Sequence, residues 1–355
     1  MSSWKDNLRT IEPYVPGEQP DLPDMIKLNT NENPYPPSPK VQEVLDQYDI
    51  NALRLYPDPN SQHLVDAIAE YNGLNSDQVF VGVGSDDVLA IAFMTFFNSK
   101  KPILFPDITY SFYDVWAELF RIPYKQMLLD ENFRLKIDDY KGENGGIVFP
   151  NPNAPTGIYE SLDHVEEIIK NNPDVIVIVD EAYIDFGGET ALPLIDKYDN
   201  LVVVRTFSKS RSMAGLRIGY AISNPELIKA LNDVKYSYNS YTMNRPSLVL
   251  GVESIHDDAY FREKVGQIIA TRERFVKEIA ELGFTCLPSS ANFVFATHES
   301  IPAKEIFAAA KENNIYVRYF DKPRIDNYLR ISIGTDAEMD AFVAFLKGYV
   351  ETKQN

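Results

Sequence analysis

Residues 174–183 read Asp-Val-Ile-Val-Ile-Val-Asp-Glu-Ala-Tyr, a β-branched run closed by two carboxylates and a phenol. Val175 to Val179 show no polar alternation, which predicts a strand buried on both faces. Working outward, Leu201–Arg205, Gly146–Phe149, Pro102–Phe105 and Val79–Val83 have the same texture. Helical spacing fills several of the gaps, at Asp86–Phe97, Tyr110–Leu119 and Leu162–Lys170. Buried strands alternating with helices predict an α/β fold, its mostly parallel sheet covered by helices on both faces. Ligands of such sheets bind beyond the carboxyl ends of the strands.

The flanking regions differ in texture. Pro13, Pro16, Pro20, Pro23, Pro34, Pro36 and Pro37 exclude a long helix from the start of the chain, so residues 1–37 are expected as an extended arm. Val41, Val44, Leu45 and Tyr48 recur at helical spacing, and Ser61 is a candidate cap for a helix bearing Leu64, Val65, Ile68 and Ala69. After Asn244 a long helical region runs through Leu282. Strand-like pieces at Asn292–Ala296, Ile315–Val317 and Leu329–Ile333 follow, with helices near Pro302–Asn313 and Asp336–Val350. The expected division is an arm at 1–37 that packs on a smaller α+β domain at 246–355, with the large domain at 38–245.

Charge and cysteine content narrow the function. The 355 residues carry 34 basic and 52 acidic side chains, a net charge of −18 that disfavours nucleic acid and acidic membrane surfaces. A small anionic ligand needs only a local basic pocket. Cys286 is the single cysteine, and His63, His164, His256 and His298 are too scattered to read as a metal set, so no metal is expected. With no secretory signal and no apolar run long enough to span a bilayer, a cytoplasmic protein is expected.

Polar residues gather where the strands end: Gly84-Ser85-Asp86, Asp107 to Tyr110, Asn151 to Gly157, Asp180 to Tyr183, and Thr206 to Lys209. Singly, each has an ordinary explanation as a helix cap, a turn or a solvated side chain. Together they match the needs of a pyridine cofactor that stabilises carbanions. Such a ring needs a buried carboxylate to keep its nitrogen protonated, for which Asp180 is the candidate. It needs an amine to form a Schiff base and carry a proton, offered by Lys209. Its phosphate needs a helix start, hydroxyls and a cation, offered by Gly84, Ser85, Asp86, Thr206, Ser208 and Arg217. Tyr110 could cover the ring face.

The chain resembles the fold type I pyridoxal-phosphate aminotransferases of class I/II, and most closely the histidinol-phosphate aminotransferase family. The resemblance covers almost the whole chain. Its motifs are Pro13-Tyr14, Leu28 to Pro34, Tyr56-Pro57-Asp58, Gly84-Ser85-Asp86, Asn151 to Gly157, Asp180 to Tyr183, Arg205 to Ser210, Gly215 to Gly219, and Tyr328 to Thr335. It implies a large domain built on a seven-stranded-type sheet and a smaller α+β domain. It implies that Lys209 holds pyridoxal phosphate, that Asp180 pairs with the ring nitrogen and that Tyr183 bonds the ring 3-oxygen. The phosphate falls to Gly84, Ser85, Asp86, Thr206, Ser208 and Arg217, and the ring face to Tyr110. It also implies a homodimer in which Tyr56 reaches the neighbour's phosphate site. Ala154 stands where the family usually carries an asparagine touching the ring 3-oxygen, leaving Asn153, Asn151 or Tyr183 alone for that contact.

On the substrate side the resemblance implies Arg330 for a carboxylate, with Tyr14, Asn31 and Arg318 among the substrate-binding residues. Arg324 has no counterpart and reads as a solvated loop arginine. The activity implied is transamination between L-histidinol phosphate and 2-oxoglutarate, giving imidazole acetol phosphate and glutamate. A threonine-phosphate decarboxylase and an aromatic or broad-range aminotransferase are the alternatives on the same scaffold.

Overall fold

The computed structural model describes residues 4–354. Its strands are β1 (Ile26–Lys27), β2 (Val79–Gly82), β3 (Ile103–Pro106), β4 (Tyr124–Met127), β5 (Ile147–Pro150), β6 (Val177–Asp180), β7 (Leu201–Thr206), β8 (Gly219–Ile222), β9 (Phe284–Cys286), β10 (Phe293–His298), β11 (Ile315–Tyr316), β12 (Arg318–Tyr319) and β13 (Leu329–Ser332). Its α-helices are α1 (Pro39–Asp46), α2 (Gln62–Asn72), α3 (Gly84–Phe96), α4 (Tyr113–Phe120), α5 (Leu162–Lys170), α6 (Pro225–Tyr238), α7 (Arg245–His256), α8 (Asp258–Ala280), α9 (Ala303–Glu312) and α10 (Asp336–Gln354).

The β-branched runs form the expected sheet. Seven strands lie in the order β2-β8-β7-β6-β5-β3-β4, and every residue of β5, β6 and β7 is buried. Pairing is parallel from β4 through β7, whereas β8 runs antiparallel to both β7 and β2. Helices cover both faces. On one, Val88, Leu89 and Phe93 of α3 meet Phe105, Val148, Ile178 and Val202; on the other, Val165 and Ile168 of α5 meet Phe149, Val179 and Val203. The antiparallel strand β8 and the edge strand β4 lack the Val/Ile run that marks the others. β4 reads Tyr-Lys-Gln-Met and is largely solvent-facing, so neither period nor apolarity singles it out.

The helix boundaries follow local chemistry. Asn224 and Asn244 cap α6 and α7 by accepting from the Leu227 and Ser247 N–H groups at 3.0 and 2.8 Å, with proline in the first turn of each. The helical region expected through Leu282 breaks at Asp257, and α7 packs with α2 in the core of the large sheet. The second core is a four-stranded antiparallel sheet, β12-β13-β10-β9, against α8, α9 and α10. β1 pairs in parallel with β11, fastening the N-terminal segment to this second unit.

Two features join the units beside the strand ends. Ile108, Leu129, Phe133 and Ile158 form one apolar cluster with Phe295 and Ile325. Arg324 is exposed, as expected of a loop arginine, and also crosses between them. It donates to Asp107 Oδ2 at 3.1 Å and to the Leu129 carbonyl at 3.0 Å, and its guanidinium lies over Phe133.

Beneath the carboxyl edge, Glu181 and Arg205 form a buried ion pair. Arg205 Nε donates to Glu181 Oε2 at 3.0 Å, and the same carboxylate accepts from the Thr190 hydroxyl and the Ala191 N–H. A half-removed buried pair strands a charge, so Glu181→Ala should cost about 3–5 kcal/mol in urea unfolding of the cofactor-free protein. The double replacement Glu181→Leu with Arg205→Met should recover much of it; a double variant weaker than the single would contradict this account.

Candidate active site

The carboxyl edge of the sheet collects side chains far apart in sequence. The reversal of β8 is decisive for one of them. Because this strand alone among the seven runs the other way, its start lies at the edge where the other strands end, and Arg217 just precedes it. Gly219 makes the approach possible: a Cβ there would lie 2.3 Å from the Gly84 carbonyl carbon and the Ser85 nitrogen. Gly84 has φ +82°, and a Cβ on it would sit 2.5 Å from Arg217 Nη2. The first N–H groups of α3 have no partner within the helix. Arg217 Nη1 reaches the Ser208 hydroxyl at 3.4 Å, and Ser208 accepts from the Thr206 hydroxyl at 3.0 Å. Helix start, two hydroxyls and a guanidinium make a cradle that fits a phosphate ester and that side chains at either glycine would fill.

Asp86 orients the guanidinium of this cradle. Its carboxylate accepts from Arg217 at 3.1 Å and from the Tyr110 hydroxyl at 2.6 Å. The Tyr110 ring packs edge-on against Tyr113, 5.8 Å between centroids. Tyr113 in turn donates to Asp180 Oδ2 at 3.0 Å. Burial, followed by the neighbouring carboxylates, pushes both phenol pKa values up, so both hydroxyls keep their protons.

Asp180 is 4% exposed at the end of β6. Its hydrogen-bond donors are the Tyr113 hydroxyl and the Ala182 N–H, at 3.0 and 3.2 Å, and no cation of the chain pairs with it among the described residues. Desolvation therefore wins over these bonds and lifts its pKa to about 6. A buried carboxyl with no cation of its own suits the nitrogen of a cationic ring.

Lys209 follows β7 by three residues and is held from both sides. Asn33 donates to its carbonyl at 3.0 Å and to that of Ser210 at 3.1 Å, and Ser210 bonds Asp185. The ammonium donates to the Thr30 carbonyl at 3.2 Å and lies 5.7 Å from the centre of the Tyr183 ring. Tyr183 packs edge-on against Phe293, and its hydroxyl accepts from Asn31 Nδ2 at 2.9 Å.

Arg330 and Arg318 are cross-strand partners on β13 and β12. Neither forms an ion pair among the described residues. Arg330 donates to the Asn29 carbonyl at 3.0 Å and lies over Phe293 and Phe320, while its Nε is buried without a partner. Burial lowers its pKa, and Arg318 acts in the same direction. Two unpaired guanidiniums against aromatic faces form a site for an anion. Tyr14 stacks on Phe112 at 4.2 Å and lies within electrostatic reach of both Arg330 and Tyr110.

The asparagines among the expected residues are committed within the chain. Asn153 spends its amide N–H groups on the Ile108 carbonyl and the Thr156 hydroxyl, both at 3.0 Å, and Asn151 is tied to Glu160 backbone at both ends of its amide. Of the candidates for a ring-oxygen contact, Tyr183 alone has a donor not already committed within the chain. Asn31, expected on the substrate side, is 1% exposed with its amide committed to Tyr183 and Ser332. Tyr56 is 77% exposed, its ring tilted against Tyr241. Nothing in the sequence distinguishes Tyr113, at the start of α4, from a core aromatic.

The chain matches the family model described as aminotransferase class I and II over residues 23–346. It is similar to a histidinol-phosphate aminotransferase of Lactococcus lactis subsp. cremoris (strain MG1363), 52% identical and covering 99% of both chains. Another enzyme of that name, from Clostridium botulinum (strain 657 / Type Ba4), is 51% identical over 97% of each. Among solved structures, the fold is shared with the histidinol-phosphate aminotransferase of Sinorhizobium meliloti in complex with pyridoxal-5'-phosphate, at a TM-score of 0.84 and 23% identity over 92% of this chain and 91% of that one. A family match over most of the chain, and relatives at half identity along its whole length, establish that the chain belongs to the class I and II aminotransferases, enzymes that use pyridoxal phosphate.

Proposed function

We propose that this enzyme transfers the amino group between L-histidinol phosphate and 2-oxoglutarate, a step of histidine biosynthesis. The observation that carries this reading is the pair of unpaired guanidiniums, Arg318 and Arg330, on adjacent strands of the small sheet. One donor brings a phosphate and the other a side-chain carboxylate, and a two-arginine site can take either. The names of relatives at about half identity over the whole chain favour this over a decarboxylase or a broad-range aminotransferase.

When bound, pyridoxal phosphate supplies the electron sink that lets the proton on the substrate's α-carbon leave. The chain's residues then divide the work. Lys209 is the attachment point and, once displaced by substrate, the base that carries the α-proton. Asp180 pairs with the ring nitrogen and keeps it protonated. Tyr183 donates to the ring oxygen, and Tyr110 covers the ring. Gly84, Ser85, Asp86, Thr206, Ser208 and Arg217 hold the phosphate. Arg330 forks onto the glutamate carboxylate, while Arg318 and Tyr14 favour the phosphorylated substrate.

We also infer a homodimer in which Tyr56 of one copy completes the phosphate site of the other. Its exposed ring, with Ile50, Leu53 and Leu55 exposed near it in the chain and Tyr241 exposed against it in space, supports such an apolar contact. We place the enzyme in the cytoplasm, in keeping with its single unpaired cysteine.

Lys209→Ala should lower turnover by at least about a thousandfold. Arg318→Ala should raise KM for histidinol phosphate by about 10–100-fold, the worth of a lost charge-assisted hydrogen bond, with glutamate KM changed far less. Equal losses for the two substrates would remove Arg318 from phosphate recognition.

Asp180 makes a prediction in two directions. Its folded pKa, about 6, lies above the ordinary carboxylate value. The folded chain therefore binds the proton more tightly, and stability falls as pH rises through the window from about 4 to 6. Above it the cofactor-free protein carries a penalty of about 3 kcal/mol. Asp180→Asn should therefore raise the melting temperature of the cofactor-free protein near about pH 8, yet weaken pyridoxal-phosphate binding and turnover. A variant that melts lower and binds the cofactor normally would contradict the ring-nitrogen role.

A further inference from the structure

Asn31 stands in the left-handed region, φ 57°, a conformation asparagine tolerates better than most residues. Four hydrogen bonds fix it there. Its N–H donates to Ser332 Oγ at 2.9 Å, and that hydroxyl donates to Asn31 Oδ1 at 3.1 Å. Its carbonyl accepts from Asn292 Nδ2 at 3.0 Å. The remaining polar atom, Nδ2, donates to the Tyr183 hydroxyl at 2.9 Å. Turned over, the amide would deprive the Ser332 hydroxyl of the acceptor it has.

We propose that Asn31 is a positioning residue that sets the direction in which Tyr183 gives its proton. The proposal rests on the reading of Tyr183 as donor to the ring oxygen. A phenol is both donor and acceptor. Because Asn31 fills an acceptor position of the Tyr183 hydroxyl, the proton of that hydroxyl points away from Asn31, toward the cleft that Lys209 enters. Without Asn31 the hydroxyl is free to rotate among other acceptors. The same residue links the seven-stranded and four-stranded sheets, through Tyr183 beyond β6 and Ser332 on β13. Ser332 lies two residues beyond Arg330 on β13, on the same face of the strand, so the strand that meets the substrate anion also pins the residue that aims Tyr183.

The readout is the pH midpoint of the visible absorption of the lysine-bound cofactor. A hydrogen bond donated to the ring oxygen favours its negative form and so lowers that midpoint. The charged groups facing Tyr183 are Lys209 over its ring and Arg330 from β13, both unaltered in the variants. Tyr183→Phe should raise the midpoint, and Asn31→Ala should raise it by at least half as much. The double variant should match Tyr183→Phe alone, because Asn31 acts through the phenol. Ser332→Ala, which removes only the hydroxyl steadying Asn31, should shift it in the same direction and serves if Asn31→Ala does not fold. Pyridoxal-phosphate dissociation constants should follow the same non-additive pattern. A midpoint that moves with Tyr183→Phe but not with Asn31→Ala or Ser332→Ala, or shifts that simply add, would overturn the proposal. No movement with Tyr183→Phe would instead overturn the reading of Tyr183, and this proposal with it.

Discussion

A carboxylate buried at the end of the central strand without a cation to pair with it is the constraint around which this molecule is arranged. Asp180 has a phenol and one N–H for company, and burial still lifts its pKa to about 6. Such a group costs stability when nothing fills the cleft, and strained or unsatisfied sites of this kind persist where function needs them. Its place follows from the sheet. The Val/Ile run of β6 must be buried on both faces, so the first polar residue after it emerges at the carboxyl edge and still within the protein. The ion pair of Glu181 with Arg205 then ties this edge to the next strand, one residue beyond Asp180.

The anion sites obey a related logic. A chain of net charge −18 does not attract phosphates from a distance, so their recognition depends on local geometry. At one end, a reversed strand and two glycines bring Arg217 against the start of α3. At the other, the antiparallel pairing of β12 with β13 sets Arg318 opposite Arg330, with Phe293 and Phe320 as the low-dielectric walls. On the proposed reading, the cofactor's phosphate and the substrate's anion would be held by different sheets, with Lys209 and Tyr183 between them. Arg324 and the apolar cluster around Phe133 hold the two units together there.

Much of this was legible in the sequence because it is local. The helix expected at Leu162–Lys170 has those same bounds in the structure. Lys209, Asp180 and Tyr183 stand out as candidates because strand ends are where α/β sheets place chemistry. What was not legible depends on partners remote in the chain. Short strands such as β8 and β4 acquire their state from pairing rather than from pattern. Tyr113 could be assigned to Asp180 only once α4 was packed on the sheet. Asn31 is recognisable as part of a motif, but its commitment to Tyr183 spans 152 residues and to Ser332 spans 301. Arg324 is the surface residue its sequence suggests, but its bond to Asp107 spans 217 residues.

The most direct test of the central claim follows the cofactor through both halves of the reaction in the intact protein loaded with pyridoxal phosphate. Glutamate alone should remove the visible absorption band, and imidazole acetol phosphate added afterwards should restore it in stoichiometric amount. A band unmoved by glutamate would contradict amino transfer at Lys209. One lost with glutamate but not restored by the phosphorylated ketone would contradict the substrate assigned to Arg318 and Arg330.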